Sequence, residues 1–258
     1  MLGSPVEHSR SPQLHLAAYR ALGLDDWTYE RIECTADELP SLVKGFGPEW
    51  VGVSVTMPGK FAALQVADDC TERAELVGSA NTLVRTAAGW RADNTDIDGV
   101  AGALGNRRIA RAIVLGSGGT APAAVVALAG LGAAEITVVA RDPQKAARLV
   151  ALGPALGVRI TAHNFTDPAL AEAVGDADVL VSTIPADVAA GHASMFAGIP
   201  VLLDAIYDPW PTPLARTVSA AGGEVISGLQ MLLNQAFGQV EQFTGRPAPR
   251  NEMAAALG

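Results

Sequence analysis

The sequence predicts an α/β fold in two domains, with the last helices of the chain returning to the first domain. Three observations lead there. Apolar runs in the second half, within "RAIVLGS", "EITVVARD", "ADVLVSTIP" and "IPVLLDAIY", are continuous rather than alternating, and helical segments separate them. Strands of that kind lie buried on both faces of a parallel sheet. The first half has another texture, with short strands, a hairpin pattern and helices following one another. The tail, "SGLQMLLNQAFGQVEQFTG" and "RNEMAAAL", is helical in period and carries no strand. The domains are therefore set at 1–101, completed by helices in 228–258, and at 102–227.

Taken in order, "QLHLAAYRALGL" reads as a helix with apolar residues on one face and Gly23 as its stop. "WTYERIEC" reads as a strand and "VGVSVTM" as a buried one. After Pro58 a helix is expected to run toward Cys70. "ANTLVRTAAGWRADN" reads as a hairpin turning near Ala88-Gly89, and "TDIDGVAGALG" as a short helix. From residue 111 the order is strand, glycine-rich turn, helix, strand.

Bulk properties exclude several classes. The net charge of −9, without a lysine or arginine run, argues against nucleic-acid binding, which needs a basic face. No apolar run reaches the roughly 18 residues of a membrane span. The opening "MLGSPVEHSR" lacks the apolar core of a signal peptide. Cys34 and Cys70 stand far apart and fit no metal spacing, as in a reduced cytoplasmic protein. A monomer or a homodimer is expected.

"VLGSGGTAPAA" is the strongest local signal. Gly116, Gly118 and Ala121 match G-x-G-x-x-G/A between a strand and a helix. The first glycine allows the tight turn, the second lets a pyrophosphate approach, and the helix N-terminus offers N–H groups to phosphate. The second domain is thus read as a Rossmann-like dinucleotide-binding domain. The next strand ends "VVARD". An NAD site usually has an acidic residue there for the ribose 2′-hydroxyl. Here Arg141 stands at that end, with Lys145 a turn further, and arginine suits the 2′-phosphate of NADP. Asp142 would repel that phosphate unless it turns away to cap the helix opening at Pro143.

The chemistry must then be an oxidoreductase's. No tyrosine is followed four residues later by lysine, so a Tyr-x-x-x-Lys dyad is absent. The four histidines form no HExxH and have no cysteine partners at zinc spacing, so no metal is expected. "SVTMPGK" offers another proton donor. Lys60 follows a strand and a Pro-Gly break, at what reads as the first turn of a helix, where the macrodipole disfavours a cation. That position and partial burial would both make its proton easier to give up. An ordinary surface lysine is the alternative.

Several blocks, in order along essentially the whole chain, resemble the shikimate dehydrogenase family, most of all its actinobacterial members. "GSPVEHSRSPQLH" resembles its G-x-P-x-x-H-S-x-S-P-x-x-H, "SVTMPGK" its N-V-T-x-P-x-K, and "GSANT" its G-A-x-N-T. "DNTDIDG" resembles N-T-D-x-x-G, "YDPWPTPL" resembles Y-x-P-x-x-T-P-L, and "GLQMLLNQA" resembles G-x-x-M-L-x-x-Q-A. The resemblance implies NADPH reduction of 3-dehydroshikimate to shikimate, reversibly. It implies that Ser9 and Ser11 hold the substrate carboxylate, with Tyr207 helping close that end. Thr56, Asn81 and Gln235 would bind ring hydroxyls, and Lys60 and Asp96 would flank the reacting oxygen. Gly119, Thr120, Thr183 and Gly228 would join Gly116, Gly118, Ala121, Arg141 and Lys145 around NADP.

Each assignment has a plainer reading. Ser9 or Ser11 could cap the helix near Pro12, Asp96 could cap its own helix, Asn81 could serve a turn, and Gln235 could sit solvated on a long helix. Ser54 replaces the family's asparagine and is expected to cost a hydrogen bond. "VARDPQK" and "STIPADV" depart from the family at the cofactor end. The chain opens at the Gly-x-Pro turn, where relatives have a strand first, so either this start is late or the first strand is clipped. Alternative functions are a quinate- or aminoshikimate-using relative, an NADP-binding regulator without catalysis, and a folate-linked dehydrogenase. Both serines favour shikimate over quinate, Lys60 with Asp96 opposes loss of catalysis, and a Ser-x-Ser opening is not expected in the folate enzymes.

Overall fold

The computed structural model describes residues 1–258. The chain divides into two compact units, 1–99 with 232–258, and 100–231.

The first unit opens with β1 (Leu2–Gly3), α1 (Ser11–Ala21), β2 (Ile32–Glu33) and α2 (Leu39–Gly45). There follow β3 (Gly52–Ser54), α3 (Lys60–Val66), β4 (Asp69–Cys70), α4 (Glu72–Val77), β5 (Thr82–Thr86) and β6 (Gly89–Asp93). A four-stranded sheet runs β3-β5-β6-β4, antiparallel except for the parallel β4–β6 pair. The hairpin turns on Ala87-Ala88, with Thr86 opposite Gly89. Leu2, Leu39, Val53, Leu83 and Trp90 form one core. α1 packs a second one, in which Leu14 and Tyr19 meet Ala236, Phe237 and Val240 from the C-terminal helices.

Two expectations change here. "WTYERIEC" contributes only Ile32–Glu33 to a strand, because its partner β1 is two residues long. Trp27 and Tyr29 pack against the α1 core instead. The helix after Pro58 ends at Val66, and Asp69–Cys70 form an edge strand. The first strand is only the two-residue β1, as short as a clipped strand would be, and Leu2 also bridges Val55.

α5 (Asp96–Leu104) leads into the second unit. There β7 (Arg111–Leu115), α6 (Ala121–Gly130), β8 (Glu135–Val139), a 3₁₀ turn over Pro143–Ala146, α7 (Ala147–Val150), α8 (Gly153–Leu156) and β9 (Arg159–His163) form one half. The other half is α9 (Ala169–Asp176), β10 (Val179–Ser182), α10 (Ala186–Ala190), a 3₁₀ turn over Ala193–Phe196, β11 (Val201–Asp204), α11 (Pro213–Ala220) and β12 (Glu224–Ser227). All six strands are parallel, in the order β12-β11-β10-β7-β8-β9. This is the doubly wound Rossmann arrangement, with its switch point between β7 and β10, outside whose carboxyl ends ligands bind. α12 (Gly228–Thr244) returns to the first unit, and α13 (Arg250–Ala255) closes the chain. No helix is long and apolar enough to cross a membrane.

Candidate active site

Lys60 is the first residue of α3 and is 9% exposed. Its ammonium donates to Asp96 Oδ2 at 2.5 Å. Asp96 is 4% exposed and begins α5, the helix end that favours an anion. The cation that the α3 dipole disfavours is thus paired with an anion that the α5 dipole favours. Asp96 N–H donates to Asn94 Oδ1 at 3.1 Å, and Asn94 Nδ2 donates to the Ser79 carbonyl at 2.9 Å. The Lys60 carbonyl accepts from Ala80 N–H at 2.9 Å. These bonds anchor both ends of the ion pair to the turn between α4 and β5.

Asn81 and Gln235 belong to the same cluster. Asn81 Nδ2 donates to Asp96 Oδ1 at 3.0 Å and to Gln235 Oε1 at 3.2 Å. Asn81 Oδ1 accepts from Thr95 N–H at 2.8 Å. Gln235 is buried, so its reading as a solvated helix position is overturned. Thr56 lies half-buried, its N–H bonded to the Leu2 carbonyl.

Ser11 is buried at the start of α1, and its N–H donates to Ser9 Oγ at 3.3 Å. That is a local bond just ahead of the helix, whose N-cap is Arg10 and which has no side-chain cap. The Tyr29 hydroxyl interacts with Ser11 and Ser54, so Ser54 is itself partnered.

Asp93 braces the segment between β6 and Asp96. Burial pushes its carboxyl up, but Arg73, with Nε at 2.7 Å, and Thr71 Oγ1 at 2.6 Å outweigh it and bring the pKa down to about 2. A carboxyl depressed on folding stabilises the protein above its unfolded pKa, and that stability goes as pH falls toward 2. About 2 kcal/mol is at stake. Denaturant unfolding between pH 4 and pH 2 is expected to show wild type losing about that much more than Asp93→Asn. Parallel losses would remove Asp93 from this role.

The second unit holds the glycine loop. Gly116 has φ +107°, and a Cβ there would stand 2.6 Å from Thr183 Oγ1 and 2.8 Å from Ile184 Cγ2. A Cβ on Gly118 would meet no protein atom within 4 Å. The protein's own packing does not demand that glycine, whereas close approach of a phosphate does. α6 starts without a side-chain cap and is apolar nearly all round, buried against the sheet.

Beside the loop is a pocket of about 510 Å³, lined by Gly116, Ser117, Val139, Ala140, Arg141, Asp142, Lys145, Phe165, Ile184, Pro185 and Val188. Arg141 and Lys145 supply its cations, Phe165, Ile184 and Val188 an apolar wall. Asp142 Oδ1 accepts from Gln144 N–H at 3.0 Å, so its carboxylate caps the 3₁₀ turn, as an NADP site requires. The residues present fit a dinucleotide carrying a 2′-phosphate.

Not every predicted cofactor residue lines this pocket. Gly118, Gly119, Thr120 and Ala121 continue the loop into α6. Thr183 lies behind Gly116 and donates its hydroxyl to the Leu115 carbonyl at 2.7 Å. Gly228 begins α12 where the backbone of Ala205 leaves no room for a Cβ. Tyr207 is half-buried in the loop after β11. Sequence reasoning missed Phe165, Ile184 and Pro185. The apolar "STIP" directly after β10 is the signal that could have found the last two.

A family model described as the shikimate dehydrogenase substrate binding domain matches residues 1–83, and one described as the shikimate 5'-dehydrogenase C-terminal domain matches 228–257. A shikimate dehydrogenase (NADP(+)) of Methanothermobacter thermautotrophicus is 35% identical over 269 aligned residues, covering 100% of this chain and 94% of that protein. The chain belongs to the shikimate dehydrogenase family. Solved structures agree with this membership. The shikimate dehydrogenase of Mycobacterium tuberculosis superposes with a TM-score of 0.95 at 74% identity, over 99% of this chain and 97% of the other. The Thermus thermophilus enzyme, crystallised with NADP(H) and shikimate, gives a TM-score of 0.82 at 30% identity, over 99% and 96%.

Proposed function

We propose that the chain is an NADP-dependent shikimate dehydrogenase, interconverting 3-dehydroshikimate and shikimate, with Lys60 and Asp96 at the reacting oxygen. The buried Lys60–Asp96 pair, tied by Asn81 to Gln235, carries the assignment of those residues. When bound, the dinucleotide supplies the hydride in reduction and accepts it in oxidation. The chain's part is to bind, orient and move one proton. In reduction the carbonyl oxygen gains negative charge as its carbon is reduced, and the Lys60 ammonium gives that oxygen a proton. In oxidation the same proton returns to Lys60. Asp96 remains the anion that aligns the ammonium, while Asn81 and Gln235 orient ring hydroxyls. Gly116 and Gly118 admit the pyrophosphate, and Arg141 with Lys145 holds the 2′-phosphate.

The hydroxyls of Ser9 and Ser11 are assigned to the substrate carboxylate. Ser11→Ala is expected to raise KM for shikimate about tenfold, the low end for losing one hydrogen bond to a charged group. NADP affinity should be unchanged. A lowered melting temperature with normal KM would leave the serine a purely structural part. Cys34 and Cys70 are both free thiols, in keeping with work in the reducing cytoplasm.

The deciding experiment is purified protein with shikimate or quinate, each with NADP or NAD, followed by nicotinamide absorbance. Turnover is expected with shikimate and NADP. Its absence there, with turnover on quinate or none at all, would overturn the reading.

A further inference from the structure

One buried polar chain in the first unit runs from His15, Gln239 and Thr82, which have no part in the mechanism so far, to Asn81 and Asp96, which do. His15, on α1, is fully buried, its ring stacked on Tyr29 with centroids 4.2 Å apart. Its Nε2 lies 3.2 Å from Gln239 Oε1. Gln239, on α12, is 1% exposed, and its Nε2 donates to the Asn81 carbonyl and to Thr82 Oγ1, both at 3.0 Å. Thr82 Oγ1 donates to Asn81 Oδ1 at 2.8 Å, and Asn81 Nδ2 donates to Asp96 Oδ1.

The direction of every link follows from its neighbours. The Asn81 carbonyl can only accept, so the Gln239 nitrogen faces it and the Gln239 oxygen faces His15. The imidazole must then carry its proton on Nε2, which leaves Nδ1 to accept from the Tyr19 hydroxyl at 3.5 Å. Thr82 Oγ1 accepts from Gln239, so its own proton goes to Asn81 Oδ1. That oxygen also takes Thr95 N–H, which leaves the Asn81 amide nitrogen facing Asp96. Burial keeps the imidazole neutral by lowering its pKa to about 3, which leaves Nδ1 free to accept.

Burying an imidazole and a carboxamide is costly unless both are fully bonded. Here the bonding runs one way and ends on the carboxylate that faces Lys60. We propose that Gln239, itself held by His15, is a positioning residue for this reaction, fixing Asn81 and through it Asp96. The inference rests on the reading that Asp96 and Lys60 flank the reacting oxygen. Neither His15 nor Gln239 touches that pair. They act by removing the freedom of Asn81 to rotate its amide or shift its backbone.

Gln239→Met keeps the volume and helical preference of the side chain and removes both donors. Loss of alignment in a reacting group is expected to lower kcat for shikimate oxidation about tenfold. The dissociation constant for NADP should not change. Val43→Ala, in the other core of the same unit, serves as the control for lost stability, since it touches none of these residues. It should lower the melting temperature and leave kcat intact. Normal kcat in Gln239→Met, or an equal loss in Val43→Ala, overturns the proposal while the wild-type activity still stands. An inactive wild type would instead sink the proposed function, and this inference with it.

Should Gln239→Met fail to fold, His15→Phe carries the same comparison, because phenylalanine retains the stack on Tyr29. Nitrogen-15 NMR of the imidazole in the wild-type protein provides an independent check. A neutral ring protonated on Nε2 is expected at pH 7. A ring protonated on Nδ1 would reverse the chain and overturn the proposal.

Discussion

Replacing Lys60 by alanine is expected to lower turnover by about 10²–10⁴, the usual worth of a positioned acid–base group. The loss follows from the geometry. The Lys60 ammonium is held 2.5 Å from Asp96, and no other cation is hydrogen-bonded to that carboxylate. KM for shikimate should change far less, because the serines, Asn81 and Gln235 remain. Stability will fall as well. Removing one partner of a buried pair leaves the other charge uncompensated, at a cost of about 3–5 kcal/mol. Asn81 Nδ2 and its 3.0 Å bond to Asp96 survive and soften that cost. Turnover must therefore be measured per folded molecule, at a temperature below the lowered melting point. Asp96→Asn should also be slow. Because the two groups act as a unit, the double variant should be little worse than the slower single one. A folded Lys60→Ala enzyme with near-normal turnover would end the proposed mechanism.

The central strands were legible because burial on both faces leaves an unbroken apolar run. β7, β10 and β11 are of that kind, with Ile113, Leu180 and Leu202 fully buried. The edges were not. β9 reads "RITAH" and β12 reads "EVIS", short runs in which polar residues interrupt the apolar ones and only Ile160 and Ile226 are buried. β2 failed for a related reason, since its length is set by a two-residue partner that its own sequence does not reveal.

In the candidate site the glycine loop, Arg141 and the strand–Pro–Gly–Lys break could be read locally. The pairing of Lys60 with Asp96 could not, because 36 residues separate them and no periodicity joins them. Only the resemblance brought them together. Gln239 was missed altogether, yet a signal was present. Gln235 and Gln239 lie four residues apart on α12, on the side of the helix that also carries the buried Ala236 and Phe243. Two glutamines on an apolar face must find buried partners, and such a pair marks a polar network rather than a solvated surface.

Arg141→Ala is expected to weaken NADP by about 1.5–3 kcal/mol, the range for losing a hydrogen bond to a charged group. NAD should be nearly unaffected, and the difference is what assigns the residue. The apolar wall of Phe165, Ile184 and Val188, which lines the pocket, would serve both cofactors alike, and so would the glycine loop. Only the 2′-phosphate distinguishes them, and on the proposed reading Arg141, just past the end of β8, is the residue that would meet it. Lys145 lies in the same lining and remains in the variant. As a point charge it cannot replace a planar fork that bonds two phosphate oxygens at once. Asp142 bears on the same balance. With its carboxylate capping Gln144 N–H, its charge is drawn toward the 3₁₀ turn. Asp142→Ala would then loosen the turn that carries Lys145 while removing a repulsion, so the two effects on NADP should largely offset. The Arg141 effect should shrink in high salt, since that side chain is exposed. Titrating NADP and NAD into wild type and Arg141→Ala at two salt concentrations measures all of this. Equal losses for both cofactors would remove Arg141 from phosphate recognition and pass that role to Lys145.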